Sequence, residues 1–164
     1  MMRAVFPLLA LAALTACGLQ PVYGGGAKSA AVQGLGAIQV SDIPGREGWL
    51  MGNALRDRLS IGGRNTAPRY RLDIRLDDQL EGLGLLNDDT IGRERRTLRA
   101  RYQLVDLTDD TILLDATAGS DAGIDVVSSE YATIAAEQSA LERLTQEVAD
   151  RIVTRVSLTL RKEQ

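Results

Sequence analysis

The chain has 164 residues, of which 19 are lysine or arginine and 22 are aspartate or glutamate, so its formal net charge is −3. This mild acidity argues against nucleic acid as the main partner. Histidine is absent and Cys17 is the only cysteine, which excludes imidazole general bases, His/Cys metal sites and internal disulfides.

The N-terminus has the layout of a secretory signal: Arg3 precedes an apolar run from Ala4 to Leu14. This run is too short to cross a membrane, because a spanning helix needs about 20 residues. Cys17 directly follows Leu-Thr-Ala, a spacing that resembles the lipobox of bacterial lipoproteins, in which the cysteine is acylated and becomes the first mature residue. The alternative is a merely unpaired cysteine in an apolar segment. With Cys17 assigned to a lipid, no thiol nucleophile is left.

The sequence predicts one folded domain behind a tether. Residues 1–16 are the predicted lipoprotein signal peptide, and residues 17–34 are rich in glycine and small residues, which favours a lipidated flexible tether. Residues 35–164 are enough for a single ordinary domain with one core.

The first predicted elements are a short strand and an amphipathic helix. Ala37–Val40 alternates in polarity, and a turn at Gly45–Gly48 leads to a helix over Trp49–Leu59. We predict that Trp49 lies in the core rather than stacking on a ligand. The predicted apolar stripe of this helix contains Leu50, Met51, Ala54, Leu55 and Leu59.

Three strands in hairpin succession follow. They are predicted at Tyr70–Asp77, at Arg93–Asp106 and, after a turn at Leu107–Asp110, at Thr111–Ala118, where Ile112, Leu114 and Ala116 share a face. A loop is expected over Gln79–Gly92, and the glycines at Gly119–Gly123 are expected to break the last strand.

The segment from Ser129 to Leu160 lacks glycine and proline, which predicts one long helix whose first amides Ser128 or Ser129 can cap. Its predicted inner stripe contains Ile134, Gln138, Leu141, Leu144, Val148, Ile152 and Val156. The element order indicates an α+β fold, a two-layer sandwich with two helices packed on one face of a mainly antiparallel four-stranded sheet.

Two acidic groups invite a chemical interpretation. Asp73, Asp77 and Asp78 could act in acid/base catalysis, but carboxylates interleaved with arginines on a solvent face more often form cross-strand ion pairs. Asn87–Asp89 could hold calcium but lacks the spaced ligands of a dedicated loop, so a plain acidic turn is favoured. We therefore expect no enzyme activity, metal or cofactor.

A basic cluster is more informative. Alternation places Arg93, Arg95, Arg99 and Arg101 on the outward face of one strand. Guanidinium groups bind phosphates and carboxylates through a fixed fork, so this face could meet an anionic glycolipid or an acidic protein wall. The alternative is an ordinary charged face balanced by Asp73 and Asp77.

The mature chain resembles the LptE family of lipopolysaccharide-assembly lipoproteins. The segment Cys17-Gly-Leu-Gln-Pro-Val-Tyr-Gly24 is similar to the start of mature LptE. The order and spacing of the later motifs carry the rest of the match, at Ile38-x-Val40, Arg46-x-Gly48, Tyr70–Leu76, Arg99–Asp106 and Ala136–Val156.

This resemblance implies a non-catalytic protein that is lipid-anchored to the periplasmic side of the outer membrane. Its implied partners are the LptD β-barrel, which it would plug and help assemble, and lipopolysaccharide, which it would help deliver to the outer leaflet. The candidate contacts with glycolipid or barrel are Arg93, Arg95, Arg99, Arg101, Leu83, Leu85 and Leu86. For the leucines the alternative is a mobile hairpin tip.

Two other functions remain open. Another envelope lipoprotein module, such as a barrel-assembly or scaffold subunit, would share the anchor and the fold class. A lipid-anchored hydrolase is disfavoured by the absence of histidine.

Overall fold

The computed structural model describes residues 34–60, 67–85 and 91–162. The predicted signal peptide, Cys17, Leu86 and the Asn87–Asp89 turn lie outside the described residues. In the described part of the chain, no helix is both long enough and apolar enough to span a membrane.

The described elements form a four-stranded sheet in the order β1-β2-β3-β4 with two long helices on one face. They are β1 (Ile38–Val40), α1 (Gly45–Leu59), β2 (Tyr70–Leu85), β3 (Ile91–Asp106), β4 (Ile112–Asp125) and α2 (Glu130–Lys162). β1 is parallel to β2, and the other neighbours are antiparallel. The predicted α+β class and layer arrangement are confirmed.

One core lies between the sheet and the helices, and it is built from the alternating strand residues and the helical stripes. Its fully buried side chains include Met51, Leu55, Leu72, Leu98, Leu104, Leu144, Val148, Ile152 and Val156. Aliphatic residues dominate because the chain is only 4% aromatic.

Two strands are longer than predicted. β2 continues to Leu85 through the first half of the predicted loop, and β4 continues to Asp125 through the predicted break at Gly119–Gly123. The reason is that both extensions pair with β3. The pairing between β4 and β3 is continuous from Gly119, opposite Arg99, to Asp125, opposite Arg93. Backbone ladder bonds hold these segments extended even where the residues have low strand propensity.

The helix α1 begins at Gly45 rather than at Trp49, and the prediction that Trp49 lies in the core is wrong, because its side chain is 64% exposed. Gly48 and Gly52 are buried instead and share the inner stripe with Met51, Leu55 and Leu59. Trp49 lies about 100° further around the helix than Gly48, which turns its ring toward solvent. A helical stripe predicted from apolar side chains leaves out glycines, which have no side chain but allow close packing of the backbone.

The helix α2 is confirmed, but its predicted inner stripe is wrong at Ile134, which is 42% exposed, and at Gln138, which is exposed. Thr133 is buried in the first turns. The Val127 N–H donates to the Thr133 hydroxyl at 3.3 Å. This bond turns Thr133 toward the end of β4 and leaves Ile134 facing away.

A β-bulge at the start of β4 explains why Ile112 does not lie on the predicted face. Val105 pairs with Ile112 while Leu104 pairs with Leu114, so Leu113 is an extra residue. Ile112 is therefore 52% exposed and does not share the face of Leu114 and Ala116 as predicted.

The β3–β4 turn is held by aspartate side chains rather than by glycine. The Thr108 N–H donates to Asp106 at 2.8 Å, and the Thr111 N–H donates to Asp109 at 3.1 Å. Asp110 itself adopts φ 56°, a left-handed conformation that aspartate tolerates better than most residues. The hydrogen bonds from Thr108 and the nearby Arg69 guanidinium lower the pKa of Asp106 below its ordinary value of 3.8.

We expect Asp106→Asn to lower the free energy of unfolding at pH 7. We also expect the free energy of unfolding of this variant to depend less on pH in acid than that of the wild type. A lowered pKa in the folded state means that the ionised carboxylate stabilises the fold above its unfolded pKa. That contribution disappears as the pH falls through the lower, folded-state pKa. Urea unfolding should show a difference in unfolding free energy between wild type and variant that is smaller at pH 3 than at pH 7. An equal difference at both pH values would contradict a lowered pKa of Asp106 in the folded state.

Candidate functional site: the outward face of the sheet

The candidate site is the sheet face opposite the helices, which no described element covers. The structure places the four predicted arginines of β3 on this face, all of them exposed: Arg93, Arg95, Arg99 and Arg101. They lie there because successive side chains of β3 point to opposite faces of the sheet. The even-numbered residues point into the core: Leu98, Ala100, Tyr102 and Leu104.

Acidic residues flank this arginine strip on both neighbouring strands. The outward carboxylates are Asp73, Asp77 and Glu81 on β2 and Asp115, Asp121 and Asp125 on β4, and β2 adds Arg71 and Arg75. Within the described strands, the face therefore carries six arginines and six carboxylates. It is a basic strip between two mixed or acidic rows, and not a uniformly basic patch.

Two arginines of the strip are neutralised by β4. Arg101 Nη2 lies 3.1 Å from Asp115 Oδ2, and Arg93 Nε lies 3.3 Å from Asp125 Oδ1. The Gln103 amide also donates to Asp115 at 2.9 Å. The hydrogen bonds from Arg101 and Gln103 lower the pKa of Asp115, and the same bond to Asp115 raises the pKa of Arg101.

The other two arginines of the strip lie opposite glycines, since Arg95 pairs with Gly123 and Arg99 with Gly119. Neither forms an ion pair with another residue of the described ranges. A β-carbon at Gly119 would lie 3.2 Å from Arg99 Cγ, so the missing side chain makes room for the arginine stem. A shallow depression of about 270 Å³ opens there and is lined by Thr97, Arg99, Thr117, Gly119 and Asp121, among others.

The carboxylates considered for catalysis are used in structural contacts. Asp73 accepts hydrogen bonds from the Arg71 guanidinium at 3.0 Å and from the Ser41 hydroxyl at 2.5 Å. Within the described ranges, no cluster of three or more carboxylates is placed to hold a metal ion. Asp73 therefore pairs with Arg71 of its own strand and not across strands as predicted, and Asp77 accepts from the Gln79 amide at 3.2 Å. Asp78 does form a cross-strand ion pair, with Arg96.

Arg96, the neighbour of Arg95 on β3, points to the helix side. Its guanidinium lies 2.6 Å from Asp78 and donates to the Glu137 carbonyl at 2.9 Å. Both charged side chains are only 16% exposed. The hydrogen bond to Asp78 raises the pKa of Arg96, with smaller contributions from Glu137 and Glu47. Arg96 thus joins the β2–β3 hairpin to α2.

We expect Asp78→Ala to cost about 1–3 kcal/mol of unfolding free energy, because it leaves the mostly buried Arg96 charge without its carboxylate. Asp115→Ala is the matched control, since it removes the partner of the exposed Arg101 and should have little effect. Urea unfolding measures both variants. Equal losses would show that burial of the Asp78–Arg96 pair does not matter.

The structure describes two of the three leucines that were predicted to contact glycolipid or barrel. Leu83 is half-buried in β2 opposite Arg93, and Leu85 is the last residue of β2. Leu86 lies outside the described residues. The structure therefore replaces the predicted leucine loop with strand as far as Leu85.

Sequence reasoning missed the acidic row of β4. The expected break at Gly119 hid a regular alternation in which every odd position from 115 to 125 is aspartate, threonine or glycine. The even positions carry small or apolar residues that face the core, such as Ala118, Ala122 and Ile124. Reading through the glycines with a period of two would have found the row.

Comparison with known proteins decides the family. The family model for LptE, described as lipopolysaccharide-assembly, matches residues 35–156, which is most of the chain. The chain belongs to the LptE family.

Solved structures show the same fold. A putative lipoprotein from Caulobacter crescentus superimposes with a TM-score of 0.68 at 23% identity, covering 83% of this chain and 98% of that protein. A minor lipoprotein from Acinetobacter baumannii gives a TM-score of 0.59 at 14% identity, covering 74% and 90% respectively. The rare lipoprotein B from Shewanella oneidensis gives 0.57 at 13% identity, covering 77% and 97%. The search of curated proteins returned no match.

The resemblance seen in the sequence from Ile38 to Val156 is confirmed as a family relationship.

Proposed function

We propose that this protein is an outer-membrane lipoprotein that plugs an LptD-type β-barrel and helps assemble it, without catalysing a reaction. The observation that carries the proposal is the outward face, which no described element covers and which has a central strip of arginines between rows of carboxylates. Family membership in lipopolysaccharide assembly supports the same assignment.

A polar barrel wall is a suitable partner for such a face. The interior of an outer-membrane barrel is polar, in contrast to its lipid-facing side. Mixed rows of opposite charge give register and orientation to a contact, because a wrong alignment places like charges together. A uniformly basic face would instead favour a strongly anionic partner such as nucleic acid.

Arg95 and Arg99 are the proposed contacts with lipopolysaccharide or with the barrel wall. Their guanidinium groups are exposed and have no carboxylate partner among the described residues, so they can bind phosphate or carboxylate groups by paired hydrogen bonds. Arg93 and Arg101 have a secondary role, because each already binds an aspartate. Leu83, Leu85 and Leu86 are proposed to add apolar contact at the end of the hairpin.

The proposed anchor is a lipid on Cys17. Several acyl chains on one residue hold a protein stably at a membrane, whereas a single chain binds reversibly. Gly18 follows the cysteine, where lipoproteins retained in the inner membrane commonly carry aspartate. This difference supports an outer-membrane location with the domain on the periplasmic side.

Site-specific photo-crosslinking tests the proposed contact. A photoreactive residue replaces Thr97 in the middle of the outward face, and a matched one replaces Arg143, which is exposed on α2. We expect a crosslink from position 97 to an LptD-type barrel in intact outer membranes. Barrel crosslinks from position 143 alone would contradict the assigned face, and the absence of barrel crosslinks from both positions would contradict the function.

A further inference from the structure

Among the described residues, no strand pairs with most of one edge of β2. β2 runs from Tyr70 to Leu85, but β1 pairs with it only from Tyr70 to Leu72. Ser41 adds one more bond, from its N–H to the Leu72 carbonyl. Beyond this point no described strand lies beside β2 on that side. Such an edge is a template for pairing with another extended chain.

The hydrogen-bond pattern shows which backbone groups point to this edge. Tyr70 donates its N–H to Ala37, and Leu72 accepts from Ser41, so these even-numbered residues face β1. The pairing with β3 continues without a register shift from Tyr70 to Leu83. Because backbone groups alternate sides along a strand, the groups of Ile74, Leu76, Asp78 and Leu80 face the open edge.

The other edge of the sheet is covered differently. On β4, the Arg151 guanidinium of α2 donates to the Gly119 carbonyl. The Ser120 hydroxyl donates to Glu147 of α2 at 2.6 Å. Side chains of α2 therefore reach the margin of β4 at Gly119 and Ser120, which opposes strand addition at this point. The described residues show no such side-chain bond to the backbone of β2 from Ile74 to Leu80.

The side chains beside the open edge specify the partner. On the helix side, Leu76 is half-buried and Leu80 is 44% exposed. On the outward side, Asp77 and Glu81 are exposed and negative, and Arg75 is exposed and positive. Asp78 points inward, but Arg96 neutralises it, so it does not protect the edge as an unpaired inward charge would.

We infer that the edge of β2 from Ile74 to Leu80 accepts an extended segment of the barrel partner as a fifth strand. The segment alternates apolar residues, which face Leu76 and Leu80, with polar residues that are basic opposite Asp77 and Glu81 and acidic or neutral opposite Arg75. A second copy of this chain is the competing occupant, and protection of the Leu76, Asp78 and Leu80 amides in the purified protein without the barrel overturns the inference. The inference rests on the proposed function, which supplies the barrel.

Leu80→Pro tests the edge, because it removes a backbone N–H that points to the open edge of β2 and leaves the hydrogen bonds between β2 and β3 intact. Leu80→Val is the matched control, since it keeps the N–H. In affinity purification of the lipidated protein from outer membranes, we expect Leu80→Pro to retain about ten-fold less barrel than Leu80→Val. Equal retention overturns the edge inference alone, whereas absence of the barrel from the wild-type preparation overturns both the inference and the proposed function.

Two further measurements keep the test decisive if Leu80→Pro fails to fold. Glu81→Gln should lower barrel retention several-fold, because it removes a negative charge that faces the basic side of the segment. Amide hydrogen exchange of the complex should show new protection at Leu76, Asp78 and Leu80. Unchanged exchange at these amides in a barrel-bound sample overturns the inference.

Discussion

Gly48→Ala is expected to lower the unfolding free energy by about 2 kcal/mol or more, which corresponds to a fall of about 4–8 °C in Tm. A methyl group at this position would lie 2.7 Å from the carbonyl carbon of Ile43, a backbone atom that cannot rotate away. The buried Gly48 therefore sets how closely α1 approaches the segment between β1 and the helix. Thermal and urea unfolding measure the effect.

Gly52→Ala is the matched control one helical turn further along α1. There the added methyl group would meet the guanidinium of Arg56 at 3.1 Å, the flexible end of a side chain. The higher helix propensity of alanine should then raise stability by about 0.5–1 kcal/mol. Opposite signs for the two variants support the close approach at Gly48, and two stabilised variants would contradict it.

The double variant Arg95→Gln/Arg99→Gln is expected to lower the affinity for the barrel partner by about ten-fold or more while leaving the fold intact. Both arginines are exposed and have no ion pair within the described ranges, so their removal costs little stability. A contact that uses both charges loses its orienting hydrogen bonds. Co-purification at increasing salt concentration measures the loss.

The control for this variant keeps the same change of net charge. Arg46→Gln/Arg143→Gln removes two exposed arginines from the helices α1 and α2. If both double variants lose the barrel equally, the effect comes from overall charge and the outward strip is not a contact surface. A selective loss at positions 95 and 99 supports the strip.

The fold class could be predicted because its strongest signals are local. Strict alternation from Tyr70 to Leu76 and from Leu98 to Leu104 marks two strands with one wet face, and the helical period after Ser129 marks α2. The same alternation placed Arg93, Arg95, Arg99 and Arg101 on one face. These features need no knowledge of which elements become neighbours.

The remaining features depend on contacts between distant residues. β4 stays extended at Gly119 because Arg99 lies opposite it, and Ile112 leaves the core because of the bulge at Leu113. Trp49 is exposed because glycines, the smallest residues, occupy the buried stripe of α1. The carboxylates that neutralise Arg93 and Arg101 lie on β4 and depend on the register between the two strands. Local patterns do not contain this register.

The measurement that tests the central claim most directly is affinity purification of the tagged, lipidated protein from outer membranes, followed by mass spectrometry of what remains bound at high salt. The proposed function predicts a stoichiometric β-barrel of the lipopolysaccharide-export type. A protein that elutes alone, or with a peptidoglycan or barrel-assembly complex, would contradict it.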